Sequence, residues 1–204
     1  MVAIIHPNNP DKRKVKQIVD VLNKGGVIIY PTDTVYALGC SLQKKRAIEK
    51  LAQLKGLKLK KANFSIIFND LSHLAEYTKP IDRSTYKILN KNLPGPFTFI
   101  LKASNQIPKL FNTNKKTVGI RIPDNHIVKA IVQELQHPLV TTSLHSDDDI
   151  LEYCTDPYLI KDEWENKVDA IIDGGYGKNE ASTVVDLSDG EVEIIRQGIG
   201  ILQE

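Results

Sequence analysis

Apolar residues recur at helical spacing in several segments of the chain, which predicts amphipathic helices. The first helix is expected to begin at Pro10, after Asn9, and to end at the Gly25-Gly26 pair. A second helix is expected after a cap at Ser41 and ends near Gly56. Further helices are predicted to open at Asp70 and Pro80 and to cover residues 125–135 and 157–166.

Short runs of β-branched and aromatic residues between these helices predict strands. They cover residues 26–30, 64–68, 97–101, 117–122, 138–143, 168–172, 183–187 and 192–196. Strands separated by helices favour an α/β sheet, and the close spacing of the last strands suggests antiparallel pairing as well. The pattern therefore predicts a single α/β domain over residues 1–204, with a twisted, mixed sheet and flanking helices.

The composition is that of an ordinary globular protein, with 41% hydrophobic and 25% charged residues in 204. No segment approaches the ~18 consecutive apolar residues of a membrane span, and the N-terminus does not resemble a secretion signal. We therefore expect a cytoplasmic protein without a membrane partner. Cys40 and Cys154 have no companions at metal-ligand spacing, so both are expected to be reduced and structural.

The net charge of +2 conceals an uneven distribution. Residues 44–61 hold eight basic side chains against the single acid Glu49, and residues 147–165 hold eight acids against the single base Lys161. A basic cluster beside a ligand cleft suits phosphate, either of a nucleotide or of an RNA backbone. The alternative interpretation is a solvated helix face.

A polar turn, Thr32-Asp33-Thr34, follows the apolar run Val27 to Ile29 and Pro31, which ends sheet pairing. Ligands of open α/β sheets bind beyond strand ends, and two hydroxyls with a carboxylate offer both donors and acceptors. The same three side chains could instead do no more than cap their own backbone. From the turn alone, both interpretations stay open.

Several common catalytic signatures are absent from the sequence. There is no P-loop, no dinucleotide-binding glycine motif, no H-E-x-x-H, no C-x-x-C and no G-x-S-x-G. Asp147, Asp148 and Asp149 could hold a hard cation or form a solvated acidic loop, and His145 could contact a ligand or lie at the surface. We therefore predict neither a protein-built metal site nor a dedicated catalytic residue.

Seven short strings, in order across about 170 residues, resemble the YrdC-like family. They are Pro31-Thr-Asp-Thr-Val-Tyr36, the Lys55 region, Pro94-Gly-Pro-Phe-Thr98, Thr117-Val-Gly-Ile-Arg-Ile-Pro123, Thr142-Ser143, Ser182-Thr-Val-Val-Asp186 and Ile195-Arg-Gln-Gly198. Residues 90–102 and 141–144 look more like the YciO branch of that family than like YrdC itself. The resemblance covers nearly the whole chain.

The resemblance implies an open α/β fold with a large, concave, positively charged face. It also implies an ATP-dependent nucleotidyltransferase, threonylcarbamoyl-AMP synthase, which joins L-threonine, bicarbonate and ATP, with Mg²⁺, and releases pyrophosphate. A separate threonylcarbamoyl transferase then modifies adenosine 37 of tRNA. Family members are also associated with binding of tRNA and double-stranded RNA.

The resemblance carries roles to individual residues of this sequence. Thr34, Arg121 and Ser182 fall on positions that contact the amino acid, and the planar guanidinium of Arg121 suits its carboxylate. Nucleotide-contacting roles fall on Lys55, Lys58, Asn63, Thr117, Ser143 and Arg196.

The chain departs from the family pattern at three places in the expected site. Leu57 stands where the family has an arginine, unless Lys58 replaces it by a one-residue shift. Leu144 and His145 follow Ser143 where the family has Ala-Asn, and Phe68 stands where many members have a histidine. The alternatives to the synthase are therefore a non-catalytic RNA-binding module and a carbamoyl-adenylate enzyme with another acceptor.

Overall fold

The computed structural model describes residues 1–111, 116–144 and 154–203, with the backbone alone at residues 108–110. The helices are α1 Lys12–Asn23, α2 Lys45–Leu54, α3 Leu74–Tyr77, α4 Arg83–Asn92, α5 Gln106–Phe111, α6 His126–Leu135 and α7 Pro157–Trp164, with a 3-10 turn at Leu59–Lys61. The strands are β1 Val2–Ile4, β2 Val27–Tyr30, β3 Ala37–Ser41, β4 Ser65–Ile67, β5 Phe97–Lys102, β6 Thr117–Arg121, β7 Leu139–Ser143, β8 Ala170–Asp173, β9 Thr183–Asp186 and β10 Glu193–Arg196.

All of these strands join one open sheet, in the order β1-β8-β2-β3-β7-β4-β6-β5-β9-β10. Four neighbouring pairs are parallel, namely β1 with β8, β8 with β2, β4 with β6, and β5 with β9. The other pairs are antiparallel, including the last two strands of the chain. The predicted mixed α/β sheet is therefore confirmed.

Two apolar clusters cover the sheet unequally. On one face, buried residues of α2 and α4, such as Leu51 and Leu89, pack in the same cluster as Leu38, Ile66 and Phe99. On the other face, α1 and α6 pack their buried stripes over the half of the sheet formed by β1, β8 and β2. The second half of that face, over β4, β5, β6 and β9, has no comparable helical cover among the described residues.

Small polar residues occupy this open half. Ser65 pairs with Thr141 on one side and with Gly119 on the other, so the three lie in one row on one face. Thr98 lies on the same face, two residues before Ile100, which pairs with Gly119. A large apolar surface here would need a covering helix. Small polar residues instead leave a solvent-facing hollow.

Helix starts differ from the predicted ones where a nearby carboxylate provides a better cap. Helix α1 begins at Lys12 rather than at Pro10, and it is capped by Asp11, whose carboxylate accepts from the amides of Arg13 and Lys14 at 2.8 and 3.2 Å. Helix α4 is capped by Asp82 rather than opened by Pro80. Asp70 accepts from the Ser72 amide in a turn before α3 instead of opening that helix.

The prediction that Ser41 caps a helix is wrong. Residues Ala37–Ser41 form a fully buried strand that pairs with β2 and β7, and α2 begins only at Lys45. This strand was not predicted because small residues such as Gly39 have a low intrinsic preference for strands. Its extended conformation is fixed by pairing with the two neighbouring strands. Strand β1 and helix α5 also lie outside the predicted elements.

Two expectations from composition can be compared with the structure. Cys40 and Cys154 are both buried, and they do not form a disulfide with each other. Among the described residues, no helix combines the length and apolar character that crossing a membrane requires.

Candidate functional site

A cavity of about 420 Å³ occupies the open half of the sheet, and we call it the site cavity. Its floor includes Ser65, Thr98, Gly119 and Thr141, and the apolar residues Ile107 and Phe111 contribute to one wall. Among its described lining residues, the ionisable ones are Arg121 and Arg196. The site cavity is therefore a positively charged hollow of the size that small ligands occupy.

Arg121, the last residue of β6, lies in the wall of the site cavity and is only 6% exposed. Its Nη2 donates to Asp33 Oδ1 at 3.3 Å and to Thr34 Oγ1 at 3.1 Å. Its Nε is buried and has no hydrogen-bond partner among the described residues. An unsatisfied charged donor in a cavity wall is costly in isolation, and an anionic ligand would satisfy it.

The Thr32-Asp33-Thr34 turn both caps its own backbone and contacts a residue of the candidate site. Thr32 caps the turn locally, because its hydroxyl donates to the Val35 carbonyl at 2.8 Å and accepts from the Thr34 amide at 3.0 Å. Asp33 instead reaches across the fold, accepting from Arg121 and, through Oδ2, from the Asp124 amide at 3.0 Å. The turn therefore connects the end of β2 to the end of β6.

Burial acts strongly on the Asp33–Arg121 pair. The side chains are 7% and 8% exposed respectively. Burial raises the pKa of the Asp33 carboxyl and lowers the pKa of the Arg121 guanidinium, and in each case the attraction between the two charges opposes the shift. Both charged groups have therefore lost hydration. An anionic ligand at Arg121 would bind a guanidinium that no longer has to be dehydrated.

A second cluster joins Ser182 to Arg196 and Thr98. Arg196 donates through Nε and Nη2 to the Ser182 carbonyl at 3.2 and 2.8 Å. The Ser182 hydroxyl lies 2.9 Å from Thr98 Oγ1 and 3.4 Å from Arg196 Nη2. The site cavity thus places the predicted threonine-binding Ser182 beside the predicted nucleotide-binding Arg196.

The floor of the site cavity depends on the absence of a side chain at Gly119. A Cβ at this position would lie 2.6 Å from Ser65 Oγ and 3.3 Å from Thr98 Cγ2. Farther along the same face, the hydroxyl of Tyr30 lies 2.6 Å from Thr141 Oγ1. Burial raises the pKa of Tyr30 well above its usual range, so this phenol stays protonated.

The other predicted site residues are placed at three different depths. Asn63, Thr117 and Ser143 line the site cavity with Arg121, Ser182 and Arg196. Thr34 lies behind Arg121, fully buried and outside the lining residues. Lys55 and Lys58 do not line the cavity, although Lys55 Nζ donates to the carbonyl of Leu144, the neighbour of Ser143, at 3.3 Å. Lys58 is exposed, at the start of the 3-10 turn.

Within residues 1–111, 116–144 and 154–203, no group of three His, Cys, Asp or Glu side chains could hold an ion. His145 and the Asp147-Asp148-Asp149 run lie outside the described residues.

The sequence interpretation did not assign roles to Asp33, Ser65, Thr98, Gly119 or Thr141. Ser65, Thr98, Gly119 and Thr141 belong to the floor of the site cavity. The signal that could have identified this floor is the small or polar residue at alternate positions of β5, β6 and β7. Small polar residues at every second position of a strand indicate a face that no helix covers. The turn pattern singled out Asp33 as a polar group, but its contact with Arg121, 88 residues away, could not be predicted from spacing.

The chain resembles characterised and uncharacterised proteins along nearly its full length. The Sua5/YciO/YrdC family profile, described as "Telomere recombination", matches residues 20–198. The uncharacterized protein YciO of Escherichia coli strain K12 is 40% identical over 198 residues, covering 96% of this chain and 94% of that protein. The threonylcarbamoyl-AMP synthase of Coxiella burnetii strain RSA 493 is 29% identical over 181 residues, covering 88% and 96%.

Solved structures agree with these similarities. The crystal structure of E. coli YciO has a TM-score of 0.88 at 38% identity, covering 98% of this chain and 97% of that one. The structure of P. abyssi Sua5 complexed with L-threonine has a TM-score of 0.87 at 22% identity, covering 97% of this chain and 57% of that one, and supports the fold alone. With the profile matching most of the chain, and with higher identity to YciO than to the Coxiella synthase, the chain belongs to the Sua5/YciO/YrdC family.

Proposed function

We propose that this protein is a threonylcarbamoyl-AMP synthase. It joins L-threonine, bicarbonate and ATP into threonylcarbamoyl-adenylate and releases pyrophosphate. A separate transferase then passes the threonylcarbamoyl group to adenosine 37 of tRNA. The proposal is supported by the similarity of this chain to the threonylcarbamoyl-AMP synthase of Coxiella burnetii.

One observation carries the proposal: Arg121 lies in the wall of the site cavity, and its buried Nε has no hydrogen-bond partner in the part of the chain that the structure describes. A planar guanidinium recognises a carboxylate better than a lysine does, because its donors match the two carboxylate oxygens. Threonine offers that carboxylate, and Asp33 and Thr34 hold the guanidinium from behind. A structure of P. abyssi Sua5, which has the same fold, was solved with L-threonine.

The nucleotide is assigned to the part of the site cavity around Arg196. Arg196, held against the Ser182 carbonyl, provides a fixed positive charge near the apolar residue Ile195. Asn63, Thr117 and Ser143 add polar lining. A phosphate chain needs positive charge and hydrogen-bond donors, and a nucleoside needs a partly apolar wall, so the cavity suits ATP.

The proposed chemistry needs alignment more than acid–base catalysis. The neutral amine of threonine attacks the carbon of bicarbonate, and loss of water leaves a carbamate. A carbamate oxygen then attacks the α-phosphorus, the bond from that phosphorus to the β-phosphate bridge breaks, and pyrophosphate leaves. Arg121 fixes the amino acid and Arg196 stabilises phosphate charge, so proximity and electrostatics supply the rate enhancement.

Magnesium enters this proposal only with the substrate. The described residues gather no three-ligand cluster, and they do not fit a protein-built Mg²⁺ site. Mg²⁺ is commonly held largely by nucleotide phosphates and water. We therefore write the nucleotide substrate as MgATP and assign no residue of this chain to the ion.

Pyrophosphate release tests the proposal. Purified protein with MgATP should release pyrophosphate only when both L-threonine and bicarbonate are present, and omission of either should abolish release. An amino-acid panel under the same conditions would reveal another acceptor, which would replace threonine in the proposal. Salt-sensitive binding of duplex RNA without any ATP turnover would overturn the synthase in favour of an RNA-binding module.

A further inference from the structure

A second cavity, of about 310 Å³, lies at the other end of strands β4 and β7, and we call it the distal cavity. Its walls come from the segment after β4, which includes Phe68 and Tyr77, and from the end of α6 with Pro138. The site cavity contacts these strands from Ser65 and Ser143, at their opposite ends. The two cavities share no described lining residue.

The fully buried lining residues of the distal cavity are apolar, whereas its half-buried and exposed lining residues are mostly polar. Phe68, Val132 and Pro138 are buried there, and Phe68 contacts Tyr77 edge-on with ring centroids 5.4 Å apart. Among the polar lining groups, the Oδ1 atom of the half-buried Asn69 is itself buried and has no hydrogen-bond partner among the residues that the structure describes. A buried acceptor without a donor in native protein calls for an explanation, and a missing ligand is one.

The orientation of the Asn69 amide is chemically determined. Its Nδ2 donates to Asp70 Oδ2 at 3.3 Å. This orientation is favoured because the reverse one would place Oδ1 against the Asp70 carboxylate, and it leaves Oδ1 without a partner among the described residues. The ligand that completes the distal cavity must therefore be a hydrogen-bond donor at this point.

The rim of the distal cavity has the charge that suits a cationic donor. Asp70 and Glu76 are exposed lining residues, and the described lining contains no lysine or arginine. His73 lies 2.9 Å from Glu76. His137 donates from Nδ1 to the Pro138 carbonyl at 3.2 Å, which leaves its Nε2 to accept from Ser41 at 3.4 Å.

We propose that the distal cavity is a binding site for a small aliphatic amine, such as a diamine. The primary ammonium donates to Asn69 Oδ1, and the carboxylates of Asp70 and Glu76 attract its charge. Its methylene groups pack on Val132 and Pro138, and the rings of Phe68 and Tyr77 favour a nearby cation. The proposal does not depend on the reaction assigned to the site cavity.

Calorimetric titration with putrescine tests the proposal, with 1,4-butanediol as the uncharged control of the same chain length and succinate as the anionic control. Putrescine should bind saturably with one site, unaffected by saturating MgATP and threonine, and the two controls should not bind. Equal binding of putrescine and butanediol, no saturable binding of putrescine, or displacement of putrescine by MgATP would overturn it.

Two substitutions locate the site. Asn69→Leu should weaken putrescine binding about tenfold or more, because it removes the buried acceptor of a charged donor. Glu76→Gln should weaken it about two- to fivefold, more at low salt, whereas the matched change Glu163→Gln, outside the cavity, should leave it unchanged. If Asn69→Leu does not fold, the two Gln variants decide alone. Equal affinity in both Gln variants would contradict the assignment.

Discussion

The hydroxyl of Thr34 lies 3.1 Å from Arg121 Nη2, and this contact joins the turn after β2 to the last residue of β6. Both residues are buried, and Asp33 shares the same guanidinium nitrogen at 3.3 Å. The guanidinium is therefore held by Asp33 and Thr34 through Nη2, while its Nε makes no hydrogen bond to any described residue. In the proposed function, Thr34 is a positioning residue: it holds Arg121, and Arg121 binds the carboxylate of threonine.

Thr34→Val should therefore impair threonine binding without changing nucleotide binding. Valine has nearly the same shape, so the variant removes a hydroxyl with little change in packing. Loss of one hydrogen bond to a charged group should weaken threonine binding about tenfold. Separate calorimetric titrations with threonine and with a non-hydrolysable ATP analogue measure this, and an unchanged threonine affinity would show that the contact has no positioning role.

Arg121→Ala should weaken threonine binding about 10- to 100-fold and ATP binding by less than about twofold, because it removes the carboxylate partner alone. The substitution also leaves the Asp33 carboxylate buried and unpaired, which destabilises the fold. The double variant Asp33→Asn with Arg121→Ala removes that charge and should recover stability but not threonine binding. Equal losses for threonine and ATP would refute the assigned role.

Lys58→Ala tests whether this lysine replaces the family arginine that Leu57 lacks. If it does, ATP affinity should fall about three- to tenfold, with a strong dependence on salt because the side chain is exposed. Lys60→Ala is the matched control, since Lys60 is an exposed lysine of the adjoining 3-10 turn. If the nucleotide titrations of both variants match the wild type, the arginine position is vacant and Lys58 has no part in binding.

Gly119→Ala should reduce the space in the floor of the site cavity. Its new Cβ would lie 2.6 Å from Ser65 Oγ, so that side chain must move and the free energy of unfolding should fall by about 1 to 3 kcal/mol. Adding Ser65→Ala removes the crowding oxygen and should recover most of the stability. Urea denaturation of the single and double variants measures this, and additive losses would show that the two residues are not in contact.

The stability of the protein should depend on pH through His137. Burial lowers the pKa of this imidazole below its ordinary value of 6.5. Between that lowered pKa and about 6.5, the unfolded chain binds a proton that the folded protein does not, so stability falls as the pH is lowered through this window. Denaturation from pH 8 to pH 5 should show a shallower decline for His137→Gln, and parallel wild-type and variant profiles would contradict the prediction.

Much of the fold follows from local patterns. The β-branched run of β2 and the apolar stripe of α6 were predicted because their signals lie within a few residues. Strand β3 was missed because Ala37–Ser41 is a strand only by virtue of pairing with β2 and β7. Tertiary contacts of this kind override propensity, and no periodicity in the sequence reports them.

The candidate site was predicted unevenly for a similar reason. Family resemblance brought Arg121, Ser182 and Arg196 together, and the structure places all three on one cavity. Asp33 and the floor around Gly119 depend on strand register and on contacts between distant segments, which spacing along the chain does not encode. The distal cavity is built from loops and helix ends, where sequence patterns are weakest.

The most direct measurement is mass spectrometry of the nucleotide product formed from ¹³C-bicarbonate, L-threonine and MgATP, with Arg121→Ala under the same conditions. The account predicts a threonylcarbamoyl-adenylate that carries the ¹³C label in the wild type and is nearly absent in the variant at low threonine concentration. A wild-type protein that forms no labelled adenylate, or a variant that forms as much as the wild type, would contradict it.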